Sequence, residues 1–174
     1  MYKIYKSQTV IDNHEEFVKD CGTIFKSIAK NLKTVDTTWA YGQYNIFSYA
    51  SPKRIWTELY KELRECAVDF IGNDKDLCYQ SWLNYHMGHQ LLDWHTHEWP
   101  YHGYISIDPL NSKTQFEDFK IDNLIGNIYI GPGHLKHKVL CDKINQPRIT
   151  IGFDITDQQD LIMPNTGVQQ LFVR

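Results

Sequence analysis

The sequence has no large excess of either charge. Its 18 Lys and Arg against 21 Asp and Glu leave a formal net charge of -3 over 174 residues. That balance argues against a chain whose main task is to grip nucleic acid through a broad basic face, though it permits a local basic groove. No apolar run approaches the ~18–20 residues of a membrane span. The N-terminal Met1-Tyr2-Lys3-Ile4-Tyr5-Lys6 is not followed by the apolar stretch of a signal peptide. The four cysteines, Cys21, Cys66, Cys78 and Cys141, form no CxxC pair, which suits reduced thiols in a cytoplasmic protein. Internal repeats, low-complexity tracts and Gly/Ser/Pro linkers are also lacking, so residues 1–174 read as one domain. With 42% hydrophobic and 22% charged residues, wholesale disorder is excluded.

What is present divides into two unlike stretches. Residues 1–75 are mainly helical in pattern. Over 14–32, Phe17, Cys21, Ile24, Phe25, Ile28 and Leu32 recur at helical spacing, with Asp12 or Asn13 as the cap. Over 52–71, Ser51 reads as a cap and Pro52 as a first-turn residue, and Trp56, Leu59, Tyr60, Leu63, Ala67 and Phe70 form the apolar stripe. Gly72-Asn73-Asp74 marks the end. From 76 to 156 the period becomes two, with short strands expected at 79–86, 90–97, 101–107, 113–116, 126–130, 136–141 and 147–155. Residues 157–174 read as a last strand or an arm. Helices followed by many short strands predict an α+β chain, a sandwich or barrel with the helices against one outer face. In the last long strand, Ile149, Ile151, Phe153 and Ile155 share one face. Arg148, Thr150, Gly152 and Asp154 share the other, which is the barrel interior if the apolar face meets the helices.

Seven of the eight histidines fall between 86 and 137. In Asp93-Trp94-His95-Thr96-His97-Glu98, alternation puts 93, 95 and 97 on one face, so two imidazoles two residues apart can chelate one metal ion. Gly131-Pro132-Gly133-His134-Leu135-Lys136-His137 supplies His134 at a turn and His137 on a strand. A strand HxH with a distant His suits a first-row metal and leaves coordination positions open. An inward Arg148 needs an anion, and its planar fork suits a carboxylate. His102 has the parity of Tyr104 and Ser106 and is equally compatible with the pocket or the surface. His86 and His89, either side of Met87-Gly88, read as structural or exposed.

In this order the residues resemble the 2-oxoglutarate/Fe(II)-dependent dioxygenases. The resemblance runs through Tyr85…Gly88…Asp93-Trp94-His95-Thr96-His97, Gly126-Asn127-Ile128-Tyr129-Ile130-Gly131-Pro132, His137-Lys138-Val139 and Arg148-Ile149-Thr150-Ile151-Gly152-Phe153-Asp154-Ile155. It implies a double-stranded β-helix, a jelly-roll or cupin-like barrel, with Fe(II) and 2-oxoglutarate as cofactors and ascorbate as an activator. It implies His95 as first metal ligand and His137 as the distal one. Arg148 would hold the far carboxylate of 2-oxoglutarate with Thr150, and Tyr85 or Asn84 would reach the same molecule. The family has Asp or Glu where this chain has His97. The second ligand is therefore His97 first, Asp93 second and Glu98 third. A small molecule or peptide is the expected substrate. Two other readings stand beside this one: a three-His cupin-like enzyme, either a cofactor-free dioxygenase or an isomerase, and a barrel that binds without catalysis.

Overall fold

Strands appear at both ends of the chain, not only after the helices. The computed structural model describes residues 1–50, 52–72, 77–87, 92–142, 145–157 and 168–170. It opens with β1 (Lys3–Lys6), then α1 (Gln8–Asp12), α2 (His14–Leu32), a 3-10 turn at Tyr41–Gln43, α3 (Ile46–Tyr49) and α4 (Arg54–Ile71). The strands that follow are β2 (Leu77–His86), β3 (Tyr101–Asp108), β4 (Lys113–Phe116), β5 (Lys120–Asp122), β6 (Asn127–Pro132), β7 (His137–Leu140), β8 (Arg148–Asp157) and β9 (Val168–Gln170). Ser51, Asn73, Asp74, Gly88, His89 and the first two positions of the expected strand 90–97 lie outside the described residues.

Both long apolar stripes form helices and bury as patterned. Phe17, Cys21, Ile24 and Ile28 of α2 and Trp56, Leu59, Leu63 and Ala67 of α4 enter one core. Asn13 occupies the cap position of α2, but its side chain donates to the Thr9 carbonyl and leaves the helix end uncapped. α4 begins two residues later than expected, at Arg54. Lys53 is extended, and its ammonium is held by Asp20 at 2.7 Å and Glu16 at 3.0 Å, so Pro52 stays outside the first turn. Gly72 closes α4 in the left-handed region, φ 74°, and donates to the Val68 carbonyl. No described helix is long and apolar enough to cross a membrane. All four cysteines are free thiols.

The strands build two antiparallel sheets. One has six strands in the order β1-β6-β3-β8-β2-β9, and the other has three in the order β5-β4-β7. Alternation decides what each face does. Ile149, Ile151, Phe153 and Ile155 of β8, Ile105 and Ile107 of β3, and Tyr79 and Leu83 of β2 pack with the helices. Trp82, Asn84, His102, Tyr104, Arg148 and Thr150 point the other way and share a cavity with Thr114, His137 and Val139 of the small sheet. The two sheets therefore face each other across a polar interior, with the helices outside the larger one.

Residues 92–97 are not a strand; they meet β7 at an isolated bridge, His95 with His137, and at the Leu92 carbonyl, which accepts from the Val139 N–H at 3.0 Å. Asp93 explains the difference. Its side chain accepts from the Trp94 N–H at 2.8 Å and its carbonyl takes the His95 ring nitrogen at 2.6 Å. Local bonds of this kind compete with a ladder. The short edges β1 and β5 have no counterpart among the expected strands, and β9 falls within residues 157–174, the stretch read as a last strand or an arm.

Close approach at Gly103 is a packing requirement. A Cβ there would overlap both the Tyr129 backbone oxygen and the Phe153 ring. Gly103→Ala is expected to lower stability by roughly 1–3 kcal/mol in chemical denaturation. Gly22→Ala, whose Cβ would meet only the Tyr85 hydroxyl at 3.7 Å, should leave it unchanged or raise it by up to ~1 kcal/mol. Equal midpoints for the two variants would contradict this packing.

Candidate metal centre

Two backbone hydrogen bonds set the geometry of the site. His95 N–H donates to the His137 carbonyl at 2.9 Å, and His137 N–H donates back to the His95 carbonyl at 3.0 Å. Residues paired in this way carry their side chains on the same face. His97 follows two positions on, and its N–H is tied to the Gly133 carbonyl at 2.9 Å. The ring nitrogens of His95, His97 and His137 consequently come within 4.8 Å of one another.

The outer hydrogen bonds orient each ring. His95 Nδ1 lies 2.6 Å from the Asp93 carbonyl and His137 Nδ1 lies 2.9 Å from the Leu135 carbonyl. A carbonyl only accepts, so both Nδ1 atoms carry the proton and both Nε2 atoms keep a lone pair. His97 Nδ1 lies 2.9 Å from the Asp154 carboxylate, and its Nε2 is buried with no hydrogen-bond partner. These are three imidazoles with the far nitrogen anchored and the near nitrogen free, as metal ligation requires.

Asp154 and His102 complete the cluster. His102 Nδ1 sits 3.1 Å from the same Asp154 oxygen, and its ring stacks on His97 with centroids 3.6 Å apart. A second grouping, His97, His102 and Asp154, also brings its ligand atoms within 4.8 Å. Its contacts to Asp154 are hydrogen bonds, which leaves the carboxylate behind His97 as an anchor.

Burial, more than mutual crowding, favours the neutral form of His95, His102 and His137. Burial, then the charges of His102 and His95, pushes His137 down to about 2. Burial with the neighbouring imidazoles holds His102 well below the ordinary value, and burial lowers His95. Burial raises the carboxyl of Asp154, against the pull of His97. Neutral imidazole is the form that binds a metal.

Arg148 lies on the same cavity as the three histidines. It is 2% exposed, donates from Nε to Ser112 Oγ at 2.9 Å and from Nη1 to Thr150 Oγ1 at 3.4 Å, and among the described residues pairs with no carboxylate. Burial lowers it to about 10, so it stays charged at neutral pH. Asn84 Nδ2 also donates to Thr150 Oγ1, at 3.1 Å. With two donors on that oxygen, the Thr150 hydroxyl proton is left to point at a third group. Asn84 Oδ1 is taken by Thr38 and Trp82, so Asn84 braces Thr150 more than it offers a free group. Tyr104 Oη, on the same cavity, is buried; Thr114 lies beside it without hydrogen-bonding geometry. Burial raises its phenol to about 12, which keeps it a donor.

Several expectations need correction. Tyr85 cannot reach this cavity: it is adjacent to Asn84 on β2 and points to the helices, its ring stacked on Phe25 with centroids 4.5 Å apart. Asp93 is exposed and contributes its carbonyl, not its carboxylate, to His95. Glu98 is exposed and lines an outer cavity that His95 and His97 share with the inner one. Two other readings agree with the structure: His86 is structural, fully buried with Nε2 2.7 Å from Thr38 Oγ1, and His134 is exposed at its turn. Sequence reasoning places Asp154 on the interior face without giving it a role, and leaves His102 undecided.

The strand arrangement is similar to that of known non-haem enzymes. SnoK, a non-haem α-ketoglutarate-dependent carbocyclase of nogalamycin biosynthesis, superposes with a TM-score of 0.63 over 90% of this chain and 79% of its own, at 11% identity. The nickel complex of ThoJ, a non-haem monooxygenase, gives a TM-score of 0.58 over 92% of this chain and 72% of its own, at 12% identity. A cupin-2 domain protein of Shewanella frigidimarina matches a smaller part, 48% of this chain and 72% of its own, at 24% identity and a TM-score of 0.34. The first two likenesses establish the fold as a cupin-like jelly roll with added helices. No family model matches the sequence, and no curated protein does.

The histidine cluster makes stability depend on pH. In the unfolded chain these imidazoles take up protons near 6.5, whereas folded His137 resists protonation down to about 2. The contribution is complete above 6.5 and drains as pH falls, because the unfolded state then binds more protons. The raised carboxyl of Asp154 opposes this only at and above the carboxylate range. Metal-free protein should lose stability in urea from about pH 7 to about pH 5, and His137→Leu should flatten the slope. A wild-type stability that does not change over that range would contradict the assignment.

Proposed function

We propose that the chain is an Fe(II)- and 2-oxoglutarate-dependent dioxygenase that hydroxylates a small-molecule or peptide substrate. The observation that carries this reading is the sharing of one cavity by three Nε2-ready imidazoles and a buried guanidinium with only neutral partners. The donor set fits a first-row divalent ion, since three imidazoles on one side leave positions open on the other. The inner cavity fits a carboxylate, which would meet the Arg148 fork, the Thr150 hydroxyl and the Tyr104 phenol.

When bound, iron and 2-oxoglutarate supply an oxidant able to attack a C–H bond, with succinate and CO₂ as by-products. The chain supplies everything else. His95, His97 and His137 would hold the metal, each fixed from behind by Asp93, Asp154 or Leu135. The carboxylate that the resembled family uses as a direct ligand is replaced here by His97, and Asp154 puts the missing negative charge one bond further out. Arg148 would orient the cosubstrate by its far carboxylate. Trp82 and Leu92, which line both the inner and the outer cavity, would wall the reacting centre from bulk water. The inner cavity holds only about 30 Å³ between these walls, so seating a five-carbon diacid requires its lining to move apart.

The third imidazole also favours a second reading, a three-His cupin-like enzyme in which Arg148 holds the carboxylate of the substrate itself. Purified protein given Fe(II), ascorbate and 2-oxoglutarate is expected to release succinate slowly without substrate. Addition of 2-oxoglutarate or its N-oxalyl analogue should stabilise the metal-loaded protein, by about 2.7 kcal/mol at a hundredfold excess over Kd. Arg148→Met should abolish that stabilisation and keep the one due to metal. Metal binding with indifference to 2-oxoglutarate would favour the second reading. Failure to bind either after anaerobic reconstitution would overturn both and leave a binding barrel.

A further inference from the structure

We propose that the outer cavity recognises an organic ammonium group, so that the substrate of this site is a small alkylated amine or quaternary ammonium compound. The proposal deepens the reading above, on which it rests only for what happens at the cavity floor.

The outer cavity measures about 220 Å³, room for a small ligand below drug size. Its walls are Trp39, Tyr41, Trp82 and Trp99, its rim carries Glu98, and its floor is His95, His97 and Asp154. Trp39 is 67% exposed and Tyr41 44%, so large ring surfaces stand open to solvent beside the site. Tyr41 and Trp82 have centroids 5.5 Å apart and planes tilted by 52°, which makes them two walls of a box instead of a closed stack.

Charge decides which ligand such a box suits. No Lys or Arg lines it among the described residues; the fixed charges are the carboxylates of Glu98 and Asp154. Ring faces are the negative part of the aromatic quadrupole, and several of them around one point attract a cation. A phosphate or carboxylate substrate would find no cationic partner at this mouth. A neutral flat substrate would use the rings but gain nothing from Glu98. Alkylated ammonium gives up hydration more readily than a bare ammonium and fills an aromatic box with methyl groups. The floor repels a second cation once it is metal-loaded, so the ammonium belongs at the rim, between Trp39, Tyr41, Trp99 and Glu98. The rest of the substrate then reaches inward to His95 and His97.

The test uses the full chain with no metal or 2-oxoglutarate added, so its outcome is separate from succinate release. Choline and its neutral isostere 3,3-dimethylbutan-1-ol are titrated by calorimetry into the wild type and into a Trp39→Ala/Glu98→Gln double variant. Both substituted side chains are exposed; retention of the fold is checked by circular dichroism. Choline is expected to bind roughly tenfold or more tightly than the isostere, and the double variant to lose most of that preference. Equal binding of the two probes, a preference for the isostere, no binding of either, or an undiminished preference in the double variant would overturn the proposal. Such an outcome together with intact succinate release would remove the ammonium site and leave the dioxygenase reading standing.

Discussion

The reciprocal backbone hydrogen bonds between His95 and His137 are the constraint on which the site depends. They join a segment that belongs to neither sheet to β7, and they do so at two of the residues whose rings meet. Direct pairing places both imidazoles on one face, and the period of two then adds His97. Gly133 permits the arrangement. A Cβ at that position would overlap the Trp99 carbonyl oxygen, inside the turn that accepts the His97 N–H. The three candidate ligands are thus positioned by main chain, and the groups behind them only set which nitrogen is free.

β8 supplies the complementary half. One strand carries both charges of the interior, the Arg148 guanidinium and, six residues on, the Asp154 carboxylate. Even spacing puts them on the same face, and about 20 Å of extended chain separates their backbone positions. They serve different tasks for that reason. Asp154 is bound to His97 and His102, whereas Arg148 has only hydroxyl partners. A buried cation left with neutral partners is costly unless an anion joins it. The opposite face of the strand, Ile149 to Ile155, holds the sheet to the helices, so one alternation both binds the core and furnishes the pocket.

Much of this is legible in the residues. The stripes of α2 and α4, the inward parity of Arg148 and Thr150, and the pairing of His95 with His97 follow from periodicity and spacing, whereas His137 as their partner is what the family resemblance implies. Other features do not. Tyr85 and Asn84 are neighbours, so one strand cannot send both inward. β2 is buried on both faces, and its run gives no alternation to show which side faces the helices. Residues 93–97 look strand-like, yet Asp93 bonds locally and withdraws them from the sheet. β1 and β5 have four and three residues, too few for a pattern. Asp154 shares the expected interior face with Arg148 and Thr150, but its role behind His97 is invisible in the strand's own pattern. That contact closes between distant parts of the chain, and only the folded sheet brings the carboxylate under the ring.

In the proposed enzyme, one cation and one diacid are held together between the small sheet and β8. Anomalous diffraction at the iron edge, on crystals grown anaerobically with Fe(II) and 2-oxoglutarate, tests this most directly. The expected result is a single peak within coordination distance of His95, His97 and His137 Nε2, with a carboxylate of the bound acid on the Arg148 guanidinium. A peak elsewhere, or an acid whose carboxylate leaves Arg148 untouched, would contradict it.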